Sequence, residues 1–404
     1  MKMMKNFFKG SLLLLIFNLQ FLISNSRAQT AITQDKIWVG AERTELYLGF
    51  LTGKSVALVV NQTSLVDQTP LLDTLISLGV NVKKVFAPEH GFRGTADAGA
   101  HVNDSIDEKT GVKIISLYGN KKKPSAAELA DVDWVVFDIQ DVGARFFTYI
   151  STLQYVMEAC ADNGKDFLLL DRPNPNGFYI DGPVLDTSCC RSFVGMQPVP
   201  VVYGMTEAEY AKMLIGEHWL NTTHELKFHY IDCRGYTHNS HYKLPVKPSP
   251  NLPNMTSVYL YPSICFFEGT VASLGRGTAK PFQCIGDPSF SDGDYFFTPK
   301  SMPGATNPPH LNQTCSGIDF SSLPDSYFFS QHQLMLQALT NFYKNFPVKE
   351  NFFTPYFQTL AGTPELRKQI ESGMDVNSIR DSWQEKISEF KAIRKGYLLY
   401  PDFY

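Results

Sequence analysis

The chain has 404 residues, of which 44% are hydrophobic and 19% are charged, and its formal net charge is −4. This length and hydrophobic content are typical of a globular protein with about two domains. The small negative charge provides no overall positive field for nucleic acid or for anionic membranes. An anionic substrate would therefore have to be recognised by a few local cations.

The N-terminus has the pattern of a secretory signal peptide. Three lysines within the first nine residues precede an apolar stretch over residues 11–23, and residues 26–28 (Ser-Arg-Ala) match a small-x-small cleavage site. The apolar stretch is short for a transmembrane helix. We expect residues 1–28 to be removed. The mature chain would then begin at Gln29 and be exported, either to the periplasm or out of the cell, without a membrane span.

The seven cysteines are too few and too irregularly spaced for a disulfide scaffold in a chain of this length. We expect mostly free or buried thiols, with one or two bridges at most. The adjacent pair Cys189 and Cys190 does not match the spacing of a zinc site.

Short apolar runs alternate with helical segments in the first half of the chain. Strands are predicted at residues 55–60, 82–87, 111–117, 133–137 and 165–170, and helices at 40–53, 70–78, 124–129 and 145–163. This alternation is typical of a mostly parallel sheet with right-handed crossovers. Because no GxGxxG or Walker pattern follows the first strand, no dinucleotide or nucleotide cofactor is expected.

The remainder of the chain predicts a second domain. A strand at 199–202, a helix that opens with the capping box Thr206–Glu209 and an edge strand at 226–231 complete the first part. Beyond it the sequence becomes rich in Pro, Gly, Asn and aromatic residues, and it ends with helical spacing of apolar residues at 365–371 and 376–395. We therefore predict an α/β fold in which a Rossmann-like domain, residues 29–235, is followed by a smaller α+β domain, residues 236–404.

Five predicted strands are each followed by a polar side chain. These residues are Asn61, Glu89, Tyr118, Asp138 and Asp171. Open α/β sheets bind ligands outside the carboxyl ends of their strands, where parallel strands place such residues together. The sequence therefore predicts a functional site at this edge of the sheet.

The loop after the second of these strands has a strong acid–base pattern. Pro88 ends the strand because it has no N–H, and Gly91 allows a tight turn beside Glu89 and His90. A lone carboxylic acid in a dry cleft, with His90 next to it, fits the role of a general acid. A metal site with a downstream His or Asp is less favoured, because neighbouring residues of a loop rarely bind one ion and no H-E-x-x-H spacing is present.

The segment after the strand at 133–137 contains two carboxylates. Asp138, nearer the strand end, is the better candidate for binding a substrate hydroxyl, whereas Asp141 could instead cap the following helix. Arg145, Thr148 and Tyr149 lie on the predicted first turns of that helix and could face the cleft.

Two rigid loops rich in Pro and Asn are candidates for gripping a sugar. Arg172 and Asn174 lie in the first, Arg-Pro-Asn-Pro-Asn-Gly, and Asn251 lies in the second, Pro-Ser-Pro-Asn-Leu-Pro-Asn. The alternative is a purely structural role, since prolines fix φ and asparagines bind local backbone groups.

A glycine-rich stretch further on carries a charge pair. Glu268 and Arg276 could form an internal salt bridge or line the far wall of the cleft, and Thr278 closes the motif Gly-Arg-Gly-Thr. No periodicity decides between these interpretations.

Five long motifs together resemble one known family. They are Phe-Ala-Pro-Glu-His-Gly-Phe-Arg-Gly (86–94), Asp-Ile-Gln-Asp-Val-Gly-Ala-Arg-Phe-Phe-Thr-Tyr (138–149), Asp-Arg-Pro-Asn-Pro-Asn-Gly (171–177), Pro-Ser-Pro-Asn-Leu-Pro (248–253) and Glu-Gly-Thr with Gly-Arg-Gly-Thr (268–278). In this order they resemble the exo-β-N-acetylmuramidases of the NamZ type. The resemblance implies a Rossmann-like first domain, an active site in the cleft between two domains, and Glu89 as the general acid.

The resemblance further implies a glycosidase that releases N-acetylmuramic acid (MurNAc) from the non-reducing end of peptidoglycan fragments by cleaving the β-1,4 bond to N-acetylglucosamine (GlcNAc). We expect Asp138 or Glu268 to act as the second carboxylate or to orient the substrate's acetamido group, and the position of Asp138 at a strand end favours Asp138. The alternatives are a non-catalytic periplasmic binding protein for muropeptide sugars and a metal-dependent deacetylase or amidase. The expected substrate-binding residues are His90, Asp141, Arg145, Tyr149, Arg172, Asn174, Asn251, Arg276 and Thr278.

Overall fold

The structure, a computed structural model, describes residues 36–89, 91–92 and 104–403. The predicted signal segment and His90 lie outside the described residues. Residues Trp38–Tyr404 form one compact unit. Within the described part of the chain, no helix is long and apolar enough to cross a bilayer.

The strands and helices follow the predicted alternation. In chain order the strands are β1 (Ser55–Val60), β2 (Leu65–Val66), β3 (Thr69–Pro70), β4 (Asn81–Ala87), β5 (Ser105–Ile106), β6 (Lys113–Ser116), β7 (Trp134–Asp138), β8 (Asp166–Leu170), β9 (Lys227–Ile231), β10 (Cys284–Asp287), β11 (Tyr295–Phe297) and β12 (Cys315–Asp319). The α-helices are α1 (Thr44–Leu51), α2 (Leu71–Ser77), α3 (Ala126–Leu129), α4 (Tyr149–Asp162), α5 (Glu207–Gly216), α6 (Met255–Ile264), α7 (Asp325–Gln331), α8 (Leu336–Asn345), α9 (Tyr356–Ala361), α10 (Glu365–Glu371), α11 (Val376–Asp381) and α12 (Gln384–Arg394). Short 3₁₀ helices cover Gly40–Glu42, Cys265–Gly269 and Lys349–Asn351.

Seven strands form the central sheet, in the order β5-β6-β4-β1-β7-β8-β9. All its pairings are parallel except that of β5 with β6. The six mutually parallel strands, taken in chain order, follow the Rossmann arrangement, in which the strand order reverses between β1 and β7. The expected α/β class with a mostly parallel sheet is confirmed.

Both faces of the sheet are covered, which explains the continuous apolar runs within its central strands. Alternate residues of β1 belong to two separate cores: Ala57 and Val59 to one, Val56 and Leu58 to the other. Helices α1 and α2 pack in the second core, and α4 and α5 pack in the first. A strand buried on both faces has no polar positions to alternate with apolar ones.

The C-terminal part is smaller and contains a second sheet. Strands β10, β12 and β11 form an antiparallel sheet in that order, and helices α7 to α12 follow it along the chain. The predicted apolar stripe is buried at Ile379, Trp383, Ile387 and Phe390, whereas Ile393 is exposed. The stripe extends over two helices, because α11 ends at Asp381 and α12 begins at Gln384.

Three details differ from the sequence-based expectations or sharpen them. Among the described residues the segment 199–202 forms single bridges rather than a strand, from Val202 to Ala144 and to Asp181. Helix α6 was not predicted, because its apolar residues are buried all round and leave no amphipathic pattern. Cys189 and Cys190 are bonded to each other. The predicted domain boundary near residue 236 stays a prediction.

Candidate active site

Glu89 lies directly beyond the carboxyl end of β4. Pro88 stops the strand, and the Gly91 N–H donates to the Pro88 carbonyl at 3.0 Å to close a turn. Gly91 has a φ of 74°, a conformation that favours glycine. The local sequence therefore forces the chain to turn at this point and leaves the Glu89 side chain half-buried at the edge of the sheet.

Two hydroxyl groups hold the Glu89 carboxyl group. Because β4 pairs in parallel with β6, Tyr118 comes beside Glu89, and its hydroxyl donates to Glu89 Oε1 at 2.8 Å. The Thr148 hydroxyl, at the start of α4, donates to Glu89 Oε2 at 3.2 Å. Each carboxyl oxygen is thus bound by a hydroxyl from a different segment of the chain.

These groups line a cavity of about 620 Å³. Its walls come from both halves of the chain and contain many aromatic rings. The lining residues are Glu89, Tyr118, Phe146, Phe147, Thr148, Tyr149, Phe193, Val194, Ser249, Leu252, Tyr261, Glu268, Arg276, Phe282, Gly304, Ala305, Thr306, Asn307, Pro308, Pro309 and Tyr356. A cavity of this size with a few polar groups among aromatic rings is typical of a small-molecule site.

Glu268 and Arg276 form a salt bridge and also line the cavity, so both alternatives that the sequence left open are present. They form an ion pair, with Arg276 Nη2 donating to Glu268 Oε1 at 2.5 Å, and both line the cavity. Arg276 also lies over the ring of Phe282, 4.9 Å from its centroid. Burial tends to lower the pKa of Arg276, but the charge of Glu268 outweighs it and the net shift is upward. The guanidinium therefore stays charged in the cavity.

Both cavity carboxyl groups act on one tyrosine. Burial, the neighbouring Cys265 and Glu268, together with Glu89, raise the pKa of Tyr261 well above its usual range. Its ring packs edge-on against Phe146 and Phe147, at centroid distances of 5.5 Å. Tyr261 therefore stays protonated, and its hydroxyl can serve as a neutral hydrogen-bond donor.

Asp138 and Arg172 bind each other instead of lining the cavity. Arg172 donates from Nε to Asp138 Oδ1 at 2.5 Å and from Nη2 to Oδ2 at 2.9 Å, and Asp138 is fully buried. Arg172 also binds the carbonyl of Leu65 at 3.0 Å. This bidentate ion pair engages both carboxyl oxygens of Asp138. The pair therefore has a structural role at the end of β7.

Asp141 does not cap helix α4, because the helix begins later than predicted, at Tyr149. Its Oδ1 accepts from the Gly143 N–H and from the Tyr203 hydroxyl, each at 2.6 Å. Burial raises the pKa of Asp141 to about 7, against the opposing effect of these hydrogen bonds. Asp141 is 5% exposed and does not line the cavity.

Arg145 and Asn174 stabilise the segment that delivers Thr148. The fully buried Arg145 guanidinium donates to four carbonyls, those of Pro183, Val199, Leu360 and Ala361, at 2.8–2.9 Å. Asn174 packs so closely on Gly143 that a Cβ there would lie 2.1 Å from Asn174 Oδ1. Contrary to expectation, the Arg145 side chain therefore does not face the cleft.

The remaining predicted residues lie at or near the cavity wall. Tyr149 lines the cavity, and its hydroxyl donates to the Pro248 carbonyl at 3.4 Å. Asn251 Nδ2 donates to the Gly304 carbonyl at 2.9 Å and so holds the wall segment that begins at Gly304. Thr278 turns back on its own loop, with its hydroxyl donating to the Gly275 carbonyl at 2.7 Å.

His90 lies outside the described residues, so the structure does not place its side chain. Within the described ranges, no group of three or more His, Cys, Asp and Glu side chains could hold a metal ion. The polar groups on the cavity lining are hydroxyls, carboxylates, one guanidinium and one amide, and they lie among aromatic and aliphatic side chains.

Comparison with known proteins assigns the chain to a family. Residues 56–256 match the model of the N-terminal domain, and residues 259–400 that of the C-terminal domain, of the exo-β-N-acetylmuramidase NamZ. The chain belongs to the NamZ family. It is 37% identical over 381 residues to the peptidoglycan β-N-acetylmuramidase NamZ of Bacillus subtilis (strain 168), a match that covers 87% of this chain and 88% of that protein.

Two solved structures share the fold of this chain. A DUF1343 family protein of Bacteroides fragilis NCTC 9343 is 45% identical, with a TM-score of 0.85 over 91% of this chain and all of that one. A second DUF1343 family protein of the same organism is 28% identical, with a TM-score of 0.73 over 90% of this chain and 99% of that one. The cavity is lined by residues from the segment that matches the N-terminal NamZ domain and from the segment that matches the C-terminal NamZ domain.

Two tyrosines of this NamZ-family cavity, Tyr261 and Tyr356, were not among the sequence-based candidates. Tyr118 was named among the strand-end residues without a role of its own, and it lies beside Glu89 because its strand adjoins the strand before Glu89. Tyr261 lies on a helix without an amphipathic pattern, and Tyr356 lies far along the chain near the start of α9. For these two residues only the tertiary fold reveals their place in the wall.

Proposed function

We propose that the cavity binds the terminal N-acetylmuramic acid of a peptidoglycan fragment and hydrolyses its β-1,4 bond to N-acetylglucosamine. The chain is a glycosidase of the NamZ family, and the export signal predicted from its sequence agrees with a cell-wall substrate. The cavity supplies what such a reaction requires, namely two carboxyl groups in one enclosed site and neutral donors around them.

The observation that carries the proposal is the placement of Glu89. Tyr118 and Thr148 fix its two oxygens while the side chain lines the cavity. A general acid must be held in one orientation toward the glycosidic oxygen to transfer its proton efficiently. We assign this role to Glu89.

Glu268 is the better candidate for the second carboxyl group. It lines the same cavity as Glu89, whereas Asp138 is buried against Arg172. Glu268 would activate water, act as the nucleophile or orient the substrate's acetamido group. Arg276, which stays charged beside it, would bind the lactyl carboxylate that distinguishes N-acetylmuramic acid from N-acetylglucosamine.

The direct test is the release of sugar from two defined disaccharides. MurNAc–GlcNAc should yield free N-acetylmuramic acid, whereas GlcNAc–MurNAc, whose terminal sugar lacks the lactyl group, should remain intact. A binding protein would retain MurNAc–GlcNAc without cleaving it. Full activity in the presence of a chelator would argue against a metal-dependent deacetylase or amidase. NMR of the first anomer formed would identify the stereochemical course.

We also propose that the protein is exported after removal of residues 1–28. The basic, apolar and small-residue pattern of this segment supports the proposal. N-terminal sequencing of the protein recovered from the periplasm or the medium should begin at Gln29. Recovery of the full-length chain from the cytoplasm alone would contradict it.

A further inference from the structure

A second cavity, of about 650 Å³, adjoins the first. The two share one wall residue, Phe193. A ligand that extends out of the first cavity past this ring therefore enters the second.

The walls of the second cavity combine aromatic rings with cations. Tyr155 and Phe193 stack with their ring centroids 6.1 Å apart and their planes inclined by 11°, and Trp219 forms another part of the lining. Lys122 Nζ lies 4.1 Å from the centre of the Phe193 ring, and the exposed Arg191 lies on the same lining. Flat aromatic surfaces bind the apolar faces of sugar rings, and the cations favour an anionic group beside them.

The floor of this cavity is a preformed polar network. Gln197 Nε2 donates to Gln154 Oε1 at 2.9 Å, and Gln154 Nε2 donates to Glu158 Oε1 at 3.0 Å. The Trp219 carbonyl accepts from both glutamines at 3.2 Å. The buried Ser192 hydroxyl, also on the lining, has no hydrogen-bond partner among the described residues. Amides fixed in this way offer directed hydrogen-bonding groups, as polar ligands require.

We propose that the second cavity binds the third sugar of a longer glycan, a further N-acetylmuramic acid, through its lactyl carboxylate. The inference rests on the proposed function, which places the terminal sugar in the first cavity. The peptidoglycan strand alternates N-acetylmuramic acid and N-acetylglucosamine, so a carboxylate recurs at every second sugar. The cations follow the same alternation, with Arg276 in the first cavity and Lys122 and Arg191 in the second.

The test compares substrates of different length. Wild-type kcat/KM should be about tenfold higher for the peptide-free tetrasaccharide (MurNAc–GlcNAc)₂ than for MurNAc–GlcNAc, the lower end of what a charge-assisted hydrogen bond contributes. The double variant Lys122→Ala/Arg191→Ala should lose this advantage and cleave the disaccharide at the wild-type rate, since the disaccharide does not reach the second cavity. A tetrasaccharide with the lactyl carboxylate of its third sugar amidated should behave like the disaccharide with wild-type enzyme.

Lys395→Ala provides the matched control, because Lys395 is exposed directly after the last helix and its loss changes the net charge as each single variant does. It should keep the preference for the longer glycan. The second site would be overturned if wild-type kcat/KM were equal on both substrate lengths, or if the double variant kept its preference for the longer glycan. In either case, cleavage of the disaccharide would still support the proposed function. Absence of disaccharide cleavage by wild type would instead refute the proposed function itself.

Discussion

The Glu89→Gln substitution tests the proton transfer by Glu89 separately from its other contacts in the active site. Glutamine has the same shape as glutamic acid, so its carbonyl oxygen can still accept from the Tyr118 hydroxyl, now 2.8 Å from Glu89 Oε1. Its amide can donate to the Thr148 hydroxyl, which lies 3.2 Å from Oε2. The substitution therefore preserves both contacts of the side chain and removes only its ability to transfer a proton.

The expected loss follows from what general-acid catalysis contributes. Proton donation to a leaving group is worth roughly 10²–10⁴ in rate, which corresponds to about 2.7–5.4 kcal/mol of the activation free energy. We expect kcat on MurNAc–GlcNAc to fall within this range and KM to change little, because the cavity wall keeps its shape. The basic limb of the pH–rate profile should disappear in the variant.

The assay pairs a natural substrate with one that hardly needs an acid. The p-nitrophenyl glycoside of N-acetylmuramic acid has a leaving group that departs without protonation, so its hydrolysis should fall far less in Glu89→Gln. Glu225→Gln, an exposed site with the same change of charge, should leave both rates unchanged. Equal slowing of the two substrates with an unaltered pH profile would refute the assignment and transfer the role of acid to Glu268 or His90.

Four further predictions concern the surrounding groups. Arg276→Ala should raise KM for N-acetylmuramic acid substrates by about ten- to hundredfold, the range expected for hydrogen bonds to a charged group, and an equal effect on N-acetylglucosamine analogues would contradict carboxylate recognition. Glu268→Gln should lower kcat with little change in Tm, because the Glu268 and Arg276 side chains are partly exposed, unlike those of Asp138 and Arg172. Asp138→Asn should instead lower the free energy of unfolding by about 3–5 kcal/mol, because it leaves Arg172 as a buried charge with a weakened partner. A variant with wild-type stability and no turnover would instead indicate that Asp138 is a catalytic residue. Burial raises the pKa of Asp141 to about 7, above its unfolded value of about 3.9. Its contribution to stability is therefore complete below about pH 4 and is lost as pH rises to about 7, at up to about 1.4 kcal/mol per pH unit. Denaturant unfolding at several pH values gives the free energy of unfolding as a function of pH. Between about pH 4 and pH 7 this free energy should fall less steeply with pH in Asp141→Asn than in wild type.

The local sequence alone determined the main parallel strands of the central sheet and the turn that follows β4. The strand at 55–60 lies where it was predicted, because a short run of five apolar residues, three of them valines, favours a strand covered on both faces. The capping box of Thr206 and Glu209 opens helix α5, since it depends on groups three residues apart. The position of Glu89 after Pro88 follows from the same short-range rules.

Only the tertiary structure decided which polar residues reach the cavity. Asp138, Arg145 and Glu89 all lie near carboxyl ends of strands. Asp138 pairs with Arg172, and Arg145 donates to four carbonyls distant in sequence. Only Glu89 of these three lines the cavity. Tyr356 reaches the same wall from far along the chain. The physical reason is that a polar side chain takes whichever partner the packing of remote segments brings to it, and buried polar groups must find one. That choice depends on contacts between segments distant in sequence, which no local pattern contains.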